Sequence, residues 1–335
     1  MFFKIVALSI ADEAANLFGK LSEPAQKTIV ATMRLMLPVT EAAQLTPSIE
    51  IVESQRPIMN WPGVQFDHIP AANRAMVGSS TESDNPIHLI SLSSFDMMNT
   101  PLTNQQWSEM IKAINSLISL PKNPSTEYSN IFQTNNHPVV GVKWNDIQKL
   151  LAGLLLLDNS LSDHHNKFYR TNSGLLLTPS QIALKLHEIG LNNIVLRLPT
   201  ESEWEFAARG KANGSTENYP WGNTINDVDS YAQTSKNSEL SGTQPVGLRK
   251  PNGFGLKDMI GNVWEWTASG YKSDSFQADE HYDHPTGIED GNSRVLRGGS
   301  WYDYGGSYLS SAYRLSHFPG GRNSGVGLRL VRTTP

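Results

Sequence analysis

Glu201 and Glu203 stand two residues apart in Arg197-Leu198-Pro199-Thr200-Glu201-Ser202-Glu203-Trp204-Glu205-Phe206-Ala207-Ala208-Arg209-Gly210. Paired carboxylates can divide general acid and general base work between them. Their setting points elsewhere. Thr200 is placed to cap a helix, and Glu203 three residues on completes a capping box. Both acids fall in the first turn, where the helix dipole favours negative charge. Arg209 closes the last turn, and Gly210 can end the helix in a left-handed conformation. The pair is therefore assigned to the helix start. His164 and His165 are adjacent in a stretch, 158–177, that reads as a loop; two neighbouring histidines make no ligand set by themselves, and a solvated loop is expected. The chain has no cysteine, which excludes disulfides, thiolate metal sites and cysteine nucleophiles. No Ser-His-Asp arrangement has a sequence signal.

The strongest chemical signal lies near the C-terminus. From Trp301 to Phe318 six of 18 residues are aromatic, against 9% in the whole chain. The remainder up to Val326 is mostly Gly, Ser, Asp, Asn and His. That is the composition of a paratope: tyrosine offers amphipathic area at low entropic cost, and Ser, Gly and Asn adapt their hydrogen bonds. A contact surface is expected from Tyr302, Asp303, Tyr304, Tyr308, Tyr313, Leu315, Ser316, His317, Phe318, Asn323 and Ser324. Arg314 and Arg322 are read as framework, because a guanidinium can brace loops through several donors. Lys, Glu, Gln, Met and Trp are absent from Tyr302 to Val326. Those five are the residues that an asparagine codon ending in a pyrimidine cannot reach by changes at its adenines, whereas Tyr, Asp, Gly, Ser, Leu, His and Phe can be reached.

Such a surface needs a frame. The 335 residues suffice for one large domain and a small one. Residues 1–70 read as a helical unit and linker: Ser22 and Pro24 open a helix carrying Ile29, Val30, Met33 and Leu37, and Pro38 stops it. From about Ala75 the chain turns to short apolar runs with Trp, Gly and Asn. Helices are expected from Asn104 past Trp107, from Asn145 through Ile147, Leu150, Leu151 and Leu154, and from Thr178 through Leu186. Arg297–Trp301 and Gly327–Val331 are expected as strands flanking the aromatic segment.

The ordered motifs Arg197 to Gly210, Tyr219-Pro220-Trp221-Gly222, Asn252 to Trp266, Arg297-Gly298-Gly299-Ser300-Trp301 and Gly327-Leu328-Arg329 resemble those of the formylglycine-generating, sulfatase-modifying enzymes. The resemblance covers about 75–335 and implies an α+β, loop-rich fold of the C-type-lectin type. The oxidase branch of that family uses a cysteine pair to hold copper, and nothing here can replace thiolates for Cu(I). The sulfoxide-synthase branch adds an N-terminal iron site; residues 1–67 contain no histidine, and His68 and His88 form no such cluster. Relatives also bind calcium near the Gly-Asn-x-Trp-Glu-Trp motif, which Asn262 and Glu265 match, so a structural calcium is an expectation carried by the resemblance. No other cofactor is expected.

The Tyr302–Val326 pattern is similar to the variable protein of a diversity-generating retroelement, whose C-terminal segment is rewritten at template adenines. A non-catalytic binder of an unknown ligand, a protein by expectation, follows from that resemblance. The alternatives are an ordinary interaction or structural module of the family, or a cysteine-independent enzyme of it. With 27 basic and 32 acidic residues, no nucleic-acid partner is expected. No apolar run nears the roughly 20 residues a spanning helix needs. The opening Met1–Ile10 stretch is broken by Lys4 and runs into Asp12 without a small-residue cleavage site, so a cytoplasmic location is the default expectation.

Overall fold

Trp107, Met110, Ile111 and Ile114 recur at helical spacing, and in the computed structural model all four are buried on one side of α1, Asn104–Ile114. Its start is a capping box that sequence reading missed: Thr103 Oγ1 accepts from Gln106 N, and Gln106 Oε1 accepts from Thr103 N. Helix α2, Trp144–Leu156, buries Ile147, Leu150, Leu151 and Leu154 as their spacing predicts. Helix α3, Glu201–Arg209, has the expected reciprocal box between Thr200 and Glu203 and ends on Gly210 at φ 65°. A 3-10 turn, Ile225–Asp227, leads into the single turn of α4, Val228–Tyr231.

The chain separates into two compact units, Met1–Gln55 and Arg56–Pro335. The structure describes residues 63–114, 120, 123–129, 132–156, 196–237, 242–277, 280–282 and 292–333. The expected helices after Ser22 and Thr178, and the 158–177 loop with His164 and His165, lie outside the described residues. The second unit begins earlier than the change in composition near Ala75, because strand β1, Phe66–Ile69, is already part of a sheet. No helix of the described residues is long and apolar enough to cross a membrane.

Three small sheets carry the fold. β1 pairs antiparallel with β4 (Phe95–Met98), which pairs with β11 (Val331–Thr333), which pairs with β5 (Leu196–Arg197). β2 (Ala72–Val77), β3 (His88–Leu92) and β7 (His281–Tyr282) form the second sheet. The third has the order β10 (Val326–Gly327), β6 (Trp264–Gly270), β8 (Arg294–Arg297), β9 (Leu315–His317). One core cluster joins α1 and α2 to Trp264, Trp266, Leu328 and Leu330. Another joins Trp204, Phe206, Ala207 and Ala208 of α3 to β2, β3 and β4. Two tryptophans staple the third sheet to the start of α2: Trp144 Nε1 donates to Thr267 O at 2.9 Å, and Trp266 Nε1 donates to Val142 O at 2.9 Å. Each ring thus buries a large apolar area without stranding its polar handle.

Both flanking strands differ from expectation. Arg297–Trp301 is not a strand: β8 ends at Arg297, where Gly298 and Gly299 take φ of 104° and 77°. A Cβ at Gly298 would lie 2.9 Å from Met259 O, and the left-handed backbone turns the chain out of the sheet. Gly327–Val331 is not one strand either. β10 and β11 belong to different sheets, and Leu328, Arg329 and Leu330 between them are fully buried. Alternation in sequence did not become alternation in burial, because Arg329 turns inward to a buried carboxylate.

Candidate ligand-binding surface

The segment from Tyr302 to Val326 is neither all surface nor all irregular. Its first turn is fixed by Asp303, whose Oδ2 accepts from Ser300 N at 2.8 Å and Ser300 Oγ at 2.7 Å. Burial pushes the Asp303 carboxyl above its usual range, against the opposing pull of the Ser300 hydrogen bonds. Tyr304, Gly306, Ser307 and Tyr308 then face solvent. From Leu309 to Ala312 the chain dives into the core, and Arg314 is buried as well. It resurfaces as β9, an edge strand pairing Leu315 with Leu296 and His317 with Arg294. The last stretch is held by fixed donors: Asn145 N donates to Pro319 O at 3.2 Å, Gly141 N to Asn323 O at 3.1 Å, and Trp264 N to Gly325 O at 2.7 Å.

Of the eleven expected contact residues, Tyr302, Tyr304, Tyr308, Ser316, Phe318 and Asn323 are exposed, while Asp303, Tyr313, Leu315, His317 and Ser324 are half-buried. The half-buried ones have a second job. Tyr313 lies 6.0 Å from Trp264 and 5.0 Å from Tyr308, ring to ring, and His317 stacks over Trp266 at 5.8 Å. Leu315 packs on the first core cluster. Two glycines make room for rings of the segment itself. A Cβ at Gly325 would sit 2.3 Å from the Tyr302 ring, and one at Gly321 would sit 2.5 Å from the His317 ring. Serine at both Tyr304 and Phe318 is expected to change stability by less than about 1 kcal/mol, since those rings stand 70% and 66% exposed. Urea unfolding checks this, and a larger loss would assign the two rings to the core.

What pins the middle of the segment is a buried ion-pair network on α3 that the sequence did not reveal. Glu203 does serve the helix start and pairs with Arg197 at 2.6 Å. Glu201 shares that first turn, and its carboxylate also takes Arg314 Nε at 2.6 Å and Arg297 at 3.2 Å. Glu205, one turn on, holds Arg297 at 2.6 Å and Arg209 at 2.5 Å. Arg297 passes the grip onward, donating to Ser311 O at 2.6 Å and Ala312 O at 3.0 Å. Gly78 N and Asn85 Nδ2 also donate to Glu205, at 2.8 Å each. Burial alone would raise the Glu205 carboxyl; Arg209 and Arg297 outweigh it and hold the group well below the usual carboxylate range. The framework reading of Arg314 is thus met in the geometry, and Arg322 forms an ion pair with Glu127. The available signal for this network was the i, i+4, i+8 spacing of Glu201, Glu205 and Arg209.

A profile of the sulfatase-modifying factor enzyme 1-like domain matches residues 65–334. The chain belongs to this family. Among solved structures, Treponema denticola variable protein 1 superposes with a TM-score of 0.59 at 24% identity, covering 81% of this chain and 95% of that one. PvdO from Pseudomonas aeruginosa gives 0.53 at 20% identity, covering 80% and 93%. At these identities the likeness establishes the α+β, C-type-lectin-like fold of the formylglycine-generating type. In sequence, the chain is 41% identical over 115 residues to the inactive Cα-formylglycine-generating enzyme 2 of Bos taurus, 32% of this chain and 33% of that protein. It is 36% identical over 149 residues to the formylglycine-generating enzyme of Streptomyces coelicolor, 40% and 46%. These matches span less than half the length of either relative.

As a sulfatase-modifying-factor-like domain without cysteine, the chain offers no thiolates to hold copper. The residues that match the calcium motif are engaged by protein. Glu265 accepts from Arg329 Nε at 2.8 Å, from Arg329 Nη2 at 2.8 Å and from Trp204 Nε1 at 2.7 Å. Asn262 Oδ1 accepts from Gln244 N at 3.1 Å, with the amide nitrogen returned to Gln244 O. Calcium takes six to eight oxygens, and these two residues as placed do not begin such a shell. Among the described residues, no three His, Asp or Glu side chains cluster as a metal site.

Proposed function

We propose that this chain is a non-catalytic binding protein that meets a protein ligand through the surface of Tyr302–Val326, and that this surface is diversified at the level of its gene. One observation carries the reading: four large hydrophobic side chains stand exposed within that one segment, Tyr302, Tyr304, Tyr308 and Phe318, while its backbone is pinned by buried framework groups. Exposed aromatics that are not needed to fold suit a contact surface. The pinned backbone keeps their ordering cost on binding low. Treponema denticola variable protein 1 shares the fold and is called variable; the residue set left by adenine substitution extends that word to this chain.

The gene itself supplies the test. Isolates carrying it are expected to differ mainly within codons 302–326, beside an adenine-rich near-copy and a reverse-transcriptase gene. Within the window, changes should fall on the exposed and half-buried positions and spare Leu309–Ala312 and Arg314. Differences spread evenly along the chain would sink the proposal.

A further inference from the structure

We propose that the protein ligand docks in part by adding an extended segment of its chain to the free edge of the third sheet, at β9. This rests on the binding reading above but not on diversification. β9 ends the order β10-β6-β8-β9, so one of its sides is paired and the other is not. Which backbone groups lie on the unpaired side follows from β8. Ser293 O accepts from Tyr271 N at 3.0 Å, and Val295 O accepts from Thr267 Oγ1 at 3.1 Å. Backbone groups face alternate sides along a strand. Positions 293 and 295 thus face β6, while Arg294 and Leu296 face β9. Their partners in register are His317 and Leu315. Ser316 lies between these two, so its N–H and C=O point away from β8. Neither group has a hydrogen-bond partner among the described residues. The Ser316 side chain is small and exposed, and it leaves both groups open.

These groups select the occupant. A donor and an acceptor side by side on one residue of a sheet edge are the complement of the same pair on another extended chain. An α-helix keeps its interior backbone groups to itself and offers no such pair. The edge is short: Pro319 follows soon after, and its carbonyl is taken by Asn145 N. So short an edge blunts pairing between copies of the chain, and an added segment needs further contacts to stay. Phe318, one residue beyond β9 and 66% exposed, supplies apolar area for them. Backbone hydrogen bonds do not depend on which side chain stands at 316, proline excepted. This part of the contact therefore persists when the side chains around it change.

The test pans a displayed library of random linear heptapeptides on the full chain and takes the tightest selected peptide as probe. On titration the Ser316 amide proton is expected to move downfield saturably and to gain protection from solvent exchange. N-methylation of the probe, one residue at a time, is expected to weaken binding about fivefold or more at the residue opposite Ser316, the factor of one net hydrogen bond. Binding should stay near parental at the residues on either side, whose N–H groups point away. Ser316→Pro removes the outward N–H and spares the ladder to β8, as an edge position allows; it is expected to weaken the probe by a similar factor. If that variant does not fold, the N-methyl series on the parent decides. Failure to select any peptide, a Ser316 amide that the probe does not move, or an N-methyl series without position dependence would overturn the proposal. So would a Ser316 amide protected before any probe is added, because a second copy or another part of the chain would then hold the edge. The outcome is separable from the binding reading. A probe that shifts the amides of Tyr302, Tyr304 and Tyr308 but not Ser316 removes the edge alone, and evenly spread gene variation removes diversification alone.

Discussion

Glu205→Gln is expected to cost about 3–5 kcal/mol, because it leaves Arg297 and Arg209 buried with a neutral partner. Both arginines are at most 2% exposed and cannot turn to water. The amide that replaces the carboxylate also brings donors to a place where four donor groups already converge. Urea unfolding at neutral pH measures the loss. The pH dependence checks its origin. Glu205 titrates below its ordinary value in the folded protein, so its contribution is present in full above the ordinary carboxylate range. It is lost as pH falls from that range toward the folded value. The gap between parent and variant should therefore narrow on acidification, by up to about 1.4 kcal/mol per pH unit. Asp303 and Asp258, whose carboxyls are pushed up by burial, have the opposite dependence. They are present in both proteins and cancel in the difference. A gap that stays constant down to pH 3 would show that Glu205 acts through shape and not through charge.

A second loss of about 3–5 kcal/mol is expected for Glu265→Gln, which unpairs Arg329 in the middle of the fold. Arg329 is fully buried. Besides Glu265 it donates to Met98 O at 3.1 Å, Lys257 O at 2.9 Å and Asp258 O at 3.1 Å. One guanidinium thus ties β4, the loop before β6 and the passage between β10 and β11 to a single carboxylate on β6. The variant leaves one carbonyl oxygen where two carboxylate oxygens accepted from Arg329 and Trp204 Nε1, so the intrinsic fluorescence of the native state should change together with the unfolding midpoint. Adding EDTA or calcium should leave the parent's midpoint where it is, since the carboxylate is already saturated by donors. A calcium-dependent shift that disappears in Glu265→Gln would instead make the carboxylate a metal ligand.

The helices of this frame are legible in the sequence because their signals are local. Ile147, Leu150, Leu151 and Leu154 lie within one stretch of helix, and Thr200 and Glu203 lie within one turn. The motif order carried the fold for the same reason: each motif is a short piece of chain with a recognisable turn or cap. What could not be read is non-local. Glu205 meets Arg297 across 92 positions, and Glu201 meets Arg314 across 113; spacing cannot reveal which cation a carboxylate will face. The flanking strands were misplaced because Arg297-Gly298-Gly299 ends a strand through backbone torsions that only glycine adopts easily. Likewise, Leu328-Arg329-Leu330 alternates in hydropathy although Arg329 points inward. The exposed aromatic segment was legible as composition and not as geometry. Nothing in the run of Tyr, Gly and Ser shows that Leu309–Ala312 would be core.

The clearance above Gly325 and Gly321 has an arithmetic consequence. A side chain at 325 competes for space with the ring at 302, and one at 321 with the ring at 317. The residues tolerated at these positions are therefore coupled: a side chain at 325 must displace the Tyr302 ring from its present place, whereas a small residue at 302 removes that contact. The number of foldable surfaces falls short of the product of the residues allowed at each site. The shortfall shows as coupling between particular pairs of positions, set by van der Waals radii.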